Sequence, residues 1–331
     1  VSHLAAPLAR TLEDDAADRV NGLHPEGAGQ VRRLGHSMKA THARPGEYGA
    51  AFKYVLLLPA VLWVVAFTFA PLIFVIRYSF ANYVLGMGIT GYVGLQNYAD
   101  VLASNRFWHS IIVTTIYVAV SVPVEVVLGF IAAWLINLGA PWARGFRTII
   151  GMPLFTMEVA IGYLGVTLFS SQGGLVTALL GLGGIEVPWL STPSGGIAAA
   201  ILLDIWRWTS FVFIIVLAGL SSISSDLYDA AILDARNHWQ VMWRLGIPLA
   251  WPVTTIAILL RIIECLKVFA IPYALTTGGP GTSTEVFSAM DYLTTVQFFN
   301  FGQGSAMGII FLIIVSALIT VFFKQMRKSL G

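Results

Sequence analysis

Six apolar runs follow one another along the chain, at 54–79, 108–136, 148–170, 197–220, 252–275 and 304–323. A helix needs roughly 20 mainly apolar residues to cross a bilayer, and each run reaches that length. Between the runs the sequence turns to Gly, Pro, Asn and charge, as connections require. A buried soluble helix accounts for one such run but not for six. No internal repeat and no low-complexity tract interrupts the pattern. It predicts an all-α, polytopic membrane protein with six transmembrane helices.

One polar interruption is long enough to hold structure of its own, DLYDAAILDARNHWQVMWRLGIPLAWP at 226–252. Ser225 is placed to cap a helix whose first turn carries Asp226 and Asp229, acids that suit the positive end of the helix dipole. Three- and four-residue spacing puts Leu227, Ala230, Ala231 and Asp234 on one face. Asn237 and Gln240 form a second capping pair, so the segment reads as two short helices joined near Ala235–Arg236. Pro248 and Pro252 mark the exit from it and the start of the fifth run.

Composition agrees with a membrane. The 331 residues are 57% hydrophobic and 11% charged, against about a quarter charged in ordinary domains. Mean hydropathy is +0.78. A net charge of +2 without a basic cluster does not point to a nucleic-acid binder. The single cysteine, Cys265, provides neither a disulfide framework nor a metal set. Residues 1–50 are polar and mixed in charge; they predict a mostly disordered cytoplasmic tail, with no cleavable signal peptide, ahead of a domain at 51–331.

Lysine and arginine are retained on the cytoplasmic side of a membrane. Arg10, Arg19, Arg32, Arg33, Lys39, Arg44 and Lys53 precede the first run, and Arg144 and Arg147 lie in the second connection. Arg236 and Arg244 lie in the fourth, and Lys324, Arg327 and Lys328 follow the last run. The first connection holds Arg106 alone, and the third and fifth hold no basic residue. This alternation predicts a multi-pass inner-membrane protein, with both termini and the 226–252 segment in the cytoplasm.

The 226–252 segment resembles the EAA loop of ABC importer permeases, through Asp229-Ala230-Ala231, Asp234-Ala235-Arg236, Trp239-Gln240 and Ile247-Pro248. GLQNYADVL (94–102), AGLSSISSDLYDAA (218–231) and LTTGGPGTSTEVF (275–287) extend the likeness to the maltose-type carbohydrate permeases over about residues 54 to 325. The resemblance implies a cytoplasmic coupling helix that docks on a separate ATPase. Asp229 would be its polar anchor, with Ala230, Ala231, Asp234 and Ala235 at the contact, and Leu227, Trp239 and Met242 filling the apolar part of the groove. An amphipathic helix lying on lipid is the plainer alternative, which the acids of the first turns disfavour on an anionic surface. Asp229 stands where the family has Glu, and Ala235-Arg236 where it has Gly-Ala. If the joint needs a left-handed residue, Ala235 strains it by about 1–2 kcal/mol; otherwise the two helices run on more continuously.

No GxxxxGK[ST] segment occurs, so ATP and Mg are expected on the partner ATPase, with no cofactor, metal or catalytic residue in this chain. The resemblance further implies a second homologous permease, an extracytoplasmic solute-binding protein that docks near 276–285, and a carbohydrate substrate moved by alternating access. An ion-coupled secondary transporter is the other transport class, but it predicts inverted repeats. A membrane enzyme calls for a cluster near one interface, whereas His109 and His238 are isolated.

Ionisable residues inside spans are costly and usually face a cavity or a partner. Here they are Glu125, Glu158, Asp204, Arg207, Arg261, Glu264 and Lys267. The resemblance carries the sugar pathway onto Asp204, Trp208 and Phe211 before the loop, and onto Arg261, Glu264, Lys267 and Val268 after it. Trp206 reads as an interfacial or packing residue. Arg261, Glu264 and Lys267 equally suit mutual neutralisation or pairing with a second permease, and Glu125 and Glu158 suit helix packing or proton transfer. Sugars, oligosaccharides, polyols and glycerol phosphate all remain open as solutes.

Overall fold

The computed structural model describes residues 50–139 and 143–330. The tail expected at 1–50 lies outside the described residues apart from Ala50, and so do the side chains of Lys53, Arg144, Arg327 and Lys328. Two compact units divide at Ala70 and Pro71, within the first helix, α1 (Ala50–Ser79). The packing and the site described below belong to the unit from Pro71 onward.

Among the described residues, five helices are long and apolar enough to cross a membrane on their own: Tyr54–Ser79, Asn105–Asn137, Pro193–Ser221, His238–Leu266 and Phe301–Lys324. The third expected span is not straight. It consists of α4 (Ala143–Gly151) with a 3₁₀ turn Met152–Phe155, then α5 (Glu158–Leu168), bent by 100°. The bend has a local cause and a distant clasp. Thr156 and Met157 are extended, and the Thr156 hydroxyl bonds back to the Pro153 carbonyl. Arg207 then reaches across, its Nε donating to Thr156 O at 3.3 Å and its Nη1 to Glu158 at 2.7 Å. Ser210 donates to Ile150 O at 2.5 Å. Helix ends leave carbonyls unpaired, and inside a membrane no water repairs them. The helix α7 (Pro193–Ser221) supplies those donors.

α3 (Asn105–Asn137) and α7 form the packed heart of the unit, with Tyr117, Trp134, Phe213 and Leu220 fully buried. The Tyr117 hydroxyl donates to Ala200 O across that interface at 3.2 Å. Lipid tails are as apolar as these side chains, so the association rests on close packing and such bonds rather than on burial from water.

A small antiparallel hairpin, which the apolar pattern did not predict, follows α1. β1 (Ala81–Val84) pairs with β2 (Gly88–Tyr92), Ala81 opposite Tyr92. The 94–102 motif finds its use here. Asn97, on α2 (Gln96–Ala103), gives its amide hydrogens to Ser79 O at 2.9 Å and Ala81 O at 3.0 Å. The first is a carbonyl freed where α1 ends, and the second belongs to the start of β1. The remaining elements are α6 (Leu175–Leu182), α8 (Ser225–Asp234) and α9 (His238–Val241), then α10 (Ile247–Leu266) and α11 (Ala270–Thr276). α12 (Phe287–Tyr292) and α13 (Phe301–Leu330) complete the chain. The fifth span therefore ends at Leu266 and not at 275: Lys267, Val268 and Phe269 break the helix although the sequence stays apolar.

The Gly-rich segment 276–285 is a tied turn, as its glycines and Pro280 imply. Thr284 bonds Thr276 at 2.5 Å and Gly279 O at 3.0 Å, and His109 meets Thr282 O at 3.1 Å. Buried Glu285 accepts two hydrogen bonds from Arg106, at 2.8 and 2.5 Å, the fork geometry that makes such pairs strong. Beyond it, outside the spans, burial pushes the Asp291 carboxyl up to about 6, against a bond from Thr295. An unfolded aspartate titrates near about 4. The folded chain therefore binds more protons between about pH 4 and 6, and stability falls as pH rises through that window. Thermal unfolding of detergent-solubilised protein from pH 4 to 7 is expected to show this slope and Asp291→Asn to flatten it. Equal slopes in the two proteins would refute the assignment.

Candidate functional site

Arg261 is the centre of the buried charge. It projects from α10 into the packing of α3 and α7 and is 1% exposed. Its Nε donates to Glu125 at 2.5 Å and its Nη2 to the other Glu125 oxygen at 3.0 Å, while Nη2 also bonds Asp204. Glu125 and Asp204 are as buried as Arg261 itself. Charges survive such burial only when paired and hydrogen-bonded, and the guanidinium fork satisfies both carboxylates at once. The stripe Arg261, Glu264, Lys267 therefore does not neutralise itself as a unit. Arg261 turns inward, and Lys267 pairs with Glu264 at 2.9 Å on the exposed side.

A cavity of about 110 Å³ opens beside this trio. Asp204, Trp208, Arg261, Glu264 and Lys267, all expected on the pathway, line it together, with Glu158, Val268 and Ile271. Trp208 is not a free flat surface. The Arg207 and Arg261 guanidinium carbons lie over its ring at 4.7 and 4.5 Å, the geometry of a cation–π contact. Phe211 does not line the cavity; it meets the Trp208 ring edge-on at 5.6 Å and supports it. Trp206 is 48% exposed and away from the cavity. Glu125 and Glu158 are the residues whose role the sequence left undecided. Their signal is a lone carboxylate inside an apolar run, which calls for a cation from another span, here Arg261 and Arg207.

The polar segment folds as two short helices, with some corrections. α8 begins at Ser225, but its cap residue is Ser224, and no side chain bonds the first turn. Ala235 closes α8 at φ −102°, ψ 144°, ordinary extended backbone. It is neither left-handed nor strained, and the helices do not run on: the break needs no glycine because the chain leaves it extended. Asn237 caps α9 by accepting from Gln240 N at 2.9 Å, and Gln240 accepts from Arg236 N at 2.7 Å. This is the reciprocal pair the spacing predicts, shifted by one donor. Nor do Pro248 and Pro252 mark boundaries. A π-helical turn, Met242–Gly246, carries α9 directly into α10, with Pro248 in the first turn of α10 and Pro252 inside it.

Of the residues expected at a docking face, Asp229, Ala230 and Asp234 are exposed, and Leu227 and Trp239 are 48% and 49% exposed. Ala231, Asp234 and Ala235 line a groove of about 220 Å³ at the joint. Met242 is not available to a partner. It is 5% exposed and packs in the core with Trp134 and Val241. Ile232, Leu233 and Trp243, 47%, 87% and 67% exposed, are exposed apolar groups of this segment that the spacing did not single out. The anchor holding α8 is Tyr228, which donates to Leu220 O at 3.3 Å and accepts from Asn137 at 3.1 Å. Burial raises the titration of its hydroxyl, so it remains a donor.

A family described as binding-protein-dependent transport system inner membrane component matches residues 86–329. The trehalose/maltose transport system permease protein MalF of Thermococcus litoralis is 31% identical over 282 residues, covering 84% of this chain and 94% of that protein. The sulfoquinovosyl glycerol transport system permease protein SmoG of Agrobacterium fabrum is 28% identical over 277 residues, covering 83% and 90%. Among solved structures, a chain of the bacterial alginate ABC transporter in complex with an alginate pentasaccharide-bound periplasmic protein superposes with a TM-score of 0.73. It is 24% identical and covers 83% of this chain and 93% of that one, which shows a shared fold.

Proposed function

The chain belongs to the binding-protein-dependent transport system inner membrane components, and from that premise we propose that it forms part of a carbohydrate pathway of the maltose type. It is a multi-pass permease subunit of an ABC importer and not itself the ATPase. The observation that carries the carbohydrate reading is the cavity beside Trp208, where Asp204, Glu158, Glu264 and Lys267 offer donors and acceptors to hydroxyl groups. The names of relatives that handle trehalose, maltose and sulfoquinovosyl glycerol support the same class.

In this reading α8 and α9 are the coupling helices. Asp229 anchors them, Ala230, Ala231, Asp234 and Ala235 admit close approach, and Leu233, Trp239 and Trp243 fill the apolar part of a groove on a separate ATPase that binds ATP and Mg. The distribution of Lys and Arg supports placing both termini, the tail at 1–50 and this segment in the cytoplasm. A second permease completes the pathway, and an extracytoplasmic binding protein docks near 276–285. Alternating access follows from movement of α8 and α9 with the ATPase.

ATP-driven uptake of labelled maltose and trehalose into proteoliposomes containing the full complex tests this reading. Leu233→Glu is expected to reduce ATPase co-purification at least tenfold, a change of about 1.4 kcal/mol in binding. Because Leu233 is 87% exposed, the permease itself should stay folded. Uptake driven by an ion gradient without any ATPase would defeat the proposal, as would full ATPase retention by L233E.

A further inference from the structure

Resting on the reading of the Trp208 cavity as the solute site, we infer that this chain selects an uncharged solute and turns away phosphorylated, sulfonated and carboxylated ones. Sites for anions present free N–H donors on a cation, usually a guanidinium fork or an ammonium. Two cations line this cavity, Arg261 and Lys267, and a third, Arg207, stands over the Trp208 ring; each holds a carboxylate. Arg261 gives Nε and Nη2 to Glu125 and Asp204 and is 1% exposed. Arg207 gives Nη1 to Glu158 and Nε to the Thr156 carbonyl, and its side chain is 12% exposed. Lys267 alone faces outward, at 57%, with the Glu264 carboxylate 2.9 Å from its ammonium.

The balance of charge runs the same way. Four carboxylates, Glu125, Asp204, Glu158 and Glu264, stand against the three cations. The exposed charges are two carboxylates, Glu158 at 40% and Glu264 at 47%, and one ammonium. An anion reaching Lys267 therefore also meets Glu264, and like charges a few ångströms apart repel. A sugar hydroxyl meets no such conflict. It donates to the spare lone pairs of Glu158 and Glu264 and accepts from Lys267. Selection by built-in repulsion discriminates as well as selection by added contacts.

The test uses the purified complex of this chain with its partner permease and ATPase, without binding protein, so that the cavity does the selecting. Calorimetric titration compares maltose with maltose 6′-phosphate and trehalose with trehalose 6-phosphate at millimolar concentration. The neutral member of each pair is expected to bind at least tenfold more tightly. Glu264→Gln, at an exposed position that folding tolerates, frees Lys267 and is expected to narrow that ratio about tenfold. Equal or tighter binding of the phosphates would overturn the charge rule while keeping the carbohydrate reading. Binding confined to an uncharged solute that is not a carbohydrate would overturn the carbohydrate reading and support the charge rule. An unchanged ratio in E264Q would overturn the part assigned to Glu264.

Discussion

Arg261→Ala is expected to destabilise the folded permease by about 3–5 kcal/mol, the cost of removing one partner from a buried ion pair. The reason is what the substitution leaves behind. Glu125 and Asp204 stay in the packing of α3, α7 and α10, 0% and 1% exposed, with their cation gone. Lysine rescues only part of the loss, because an ammonium cannot reproduce the fork that reaches both carboxylates. Thermal unfolding in detergent and the steady-state amount in membranes both measure it. The triple change Arg261→Met, Glu125→Gln and Asp204→Asn removes every charge at once and is expected to recover most of the stability. If R261A unfolds at the parent temperature, or the triple variant is no better than R261A, the trio is not what holds these helices.

Gly302→Ala is expected to be the next most damaging change, at about 1–3 kcal/mol, the usual cost of overpacking. A methyl group there would stand 2.4 Å from the Ala81 carbonyl oxygen, 3.2 Å from Tyr83 N and 3.3 Å from the Asn97 amide. Two of these are backbone atoms of the hairpin, which cannot swing aside, and the third is the side chain that ties off the end of α1. Gly308 provides the control on the same helix, since nothing lies within 4 Å of an added methyl there. Gly308→Ala is expected to be neutral or to gain up to about 1 kcal/mol from helix propensity. Unfolding temperatures of the two variants side by side decide the matter, and equal temperatures would contradict the close approach of α13 to β1.

Apolar length made the spans legible, because lipid imposes it on every crossing segment. It did not reveal the 100° bend at Thr156–Met157 or the break at Lys267–Phe269. Hydropathy reports what a segment is immersed in and not whether its backbone stays helical. The bend also depends on Arg207, some fifty residues away in the chain. The charged residues that line the cavity were legible for a related reason: a charge inside an apolar run is conspicuous. Their partners were not, since Glu125 and Arg261 lie 136 residues apart and nothing local joins them. Ala235 shows the converse error. A departure from a family's glycine suggested strain, but the backbone reaches the same break with an extended residue.

The π-helical turn at Met242–Gly246 joins two helices without a gap, so residues 238 to 266 form one rod of 29 residues, roughly 43 Å long. Gly246 lets that rod lie against the Trp134 indole, where an added methyl would come within 2.6 Å. Within that rod, the π-helical turn and Pro252 are the two places where a helix commonly bends. Helix continues without a gap from His238 to Arg261 and Glu264, and the first break in it is at Lys267–Phe269. The break that ends this rod therefore falls on the rim of the cavity beside Trp208, which Lys267 and Val268 line.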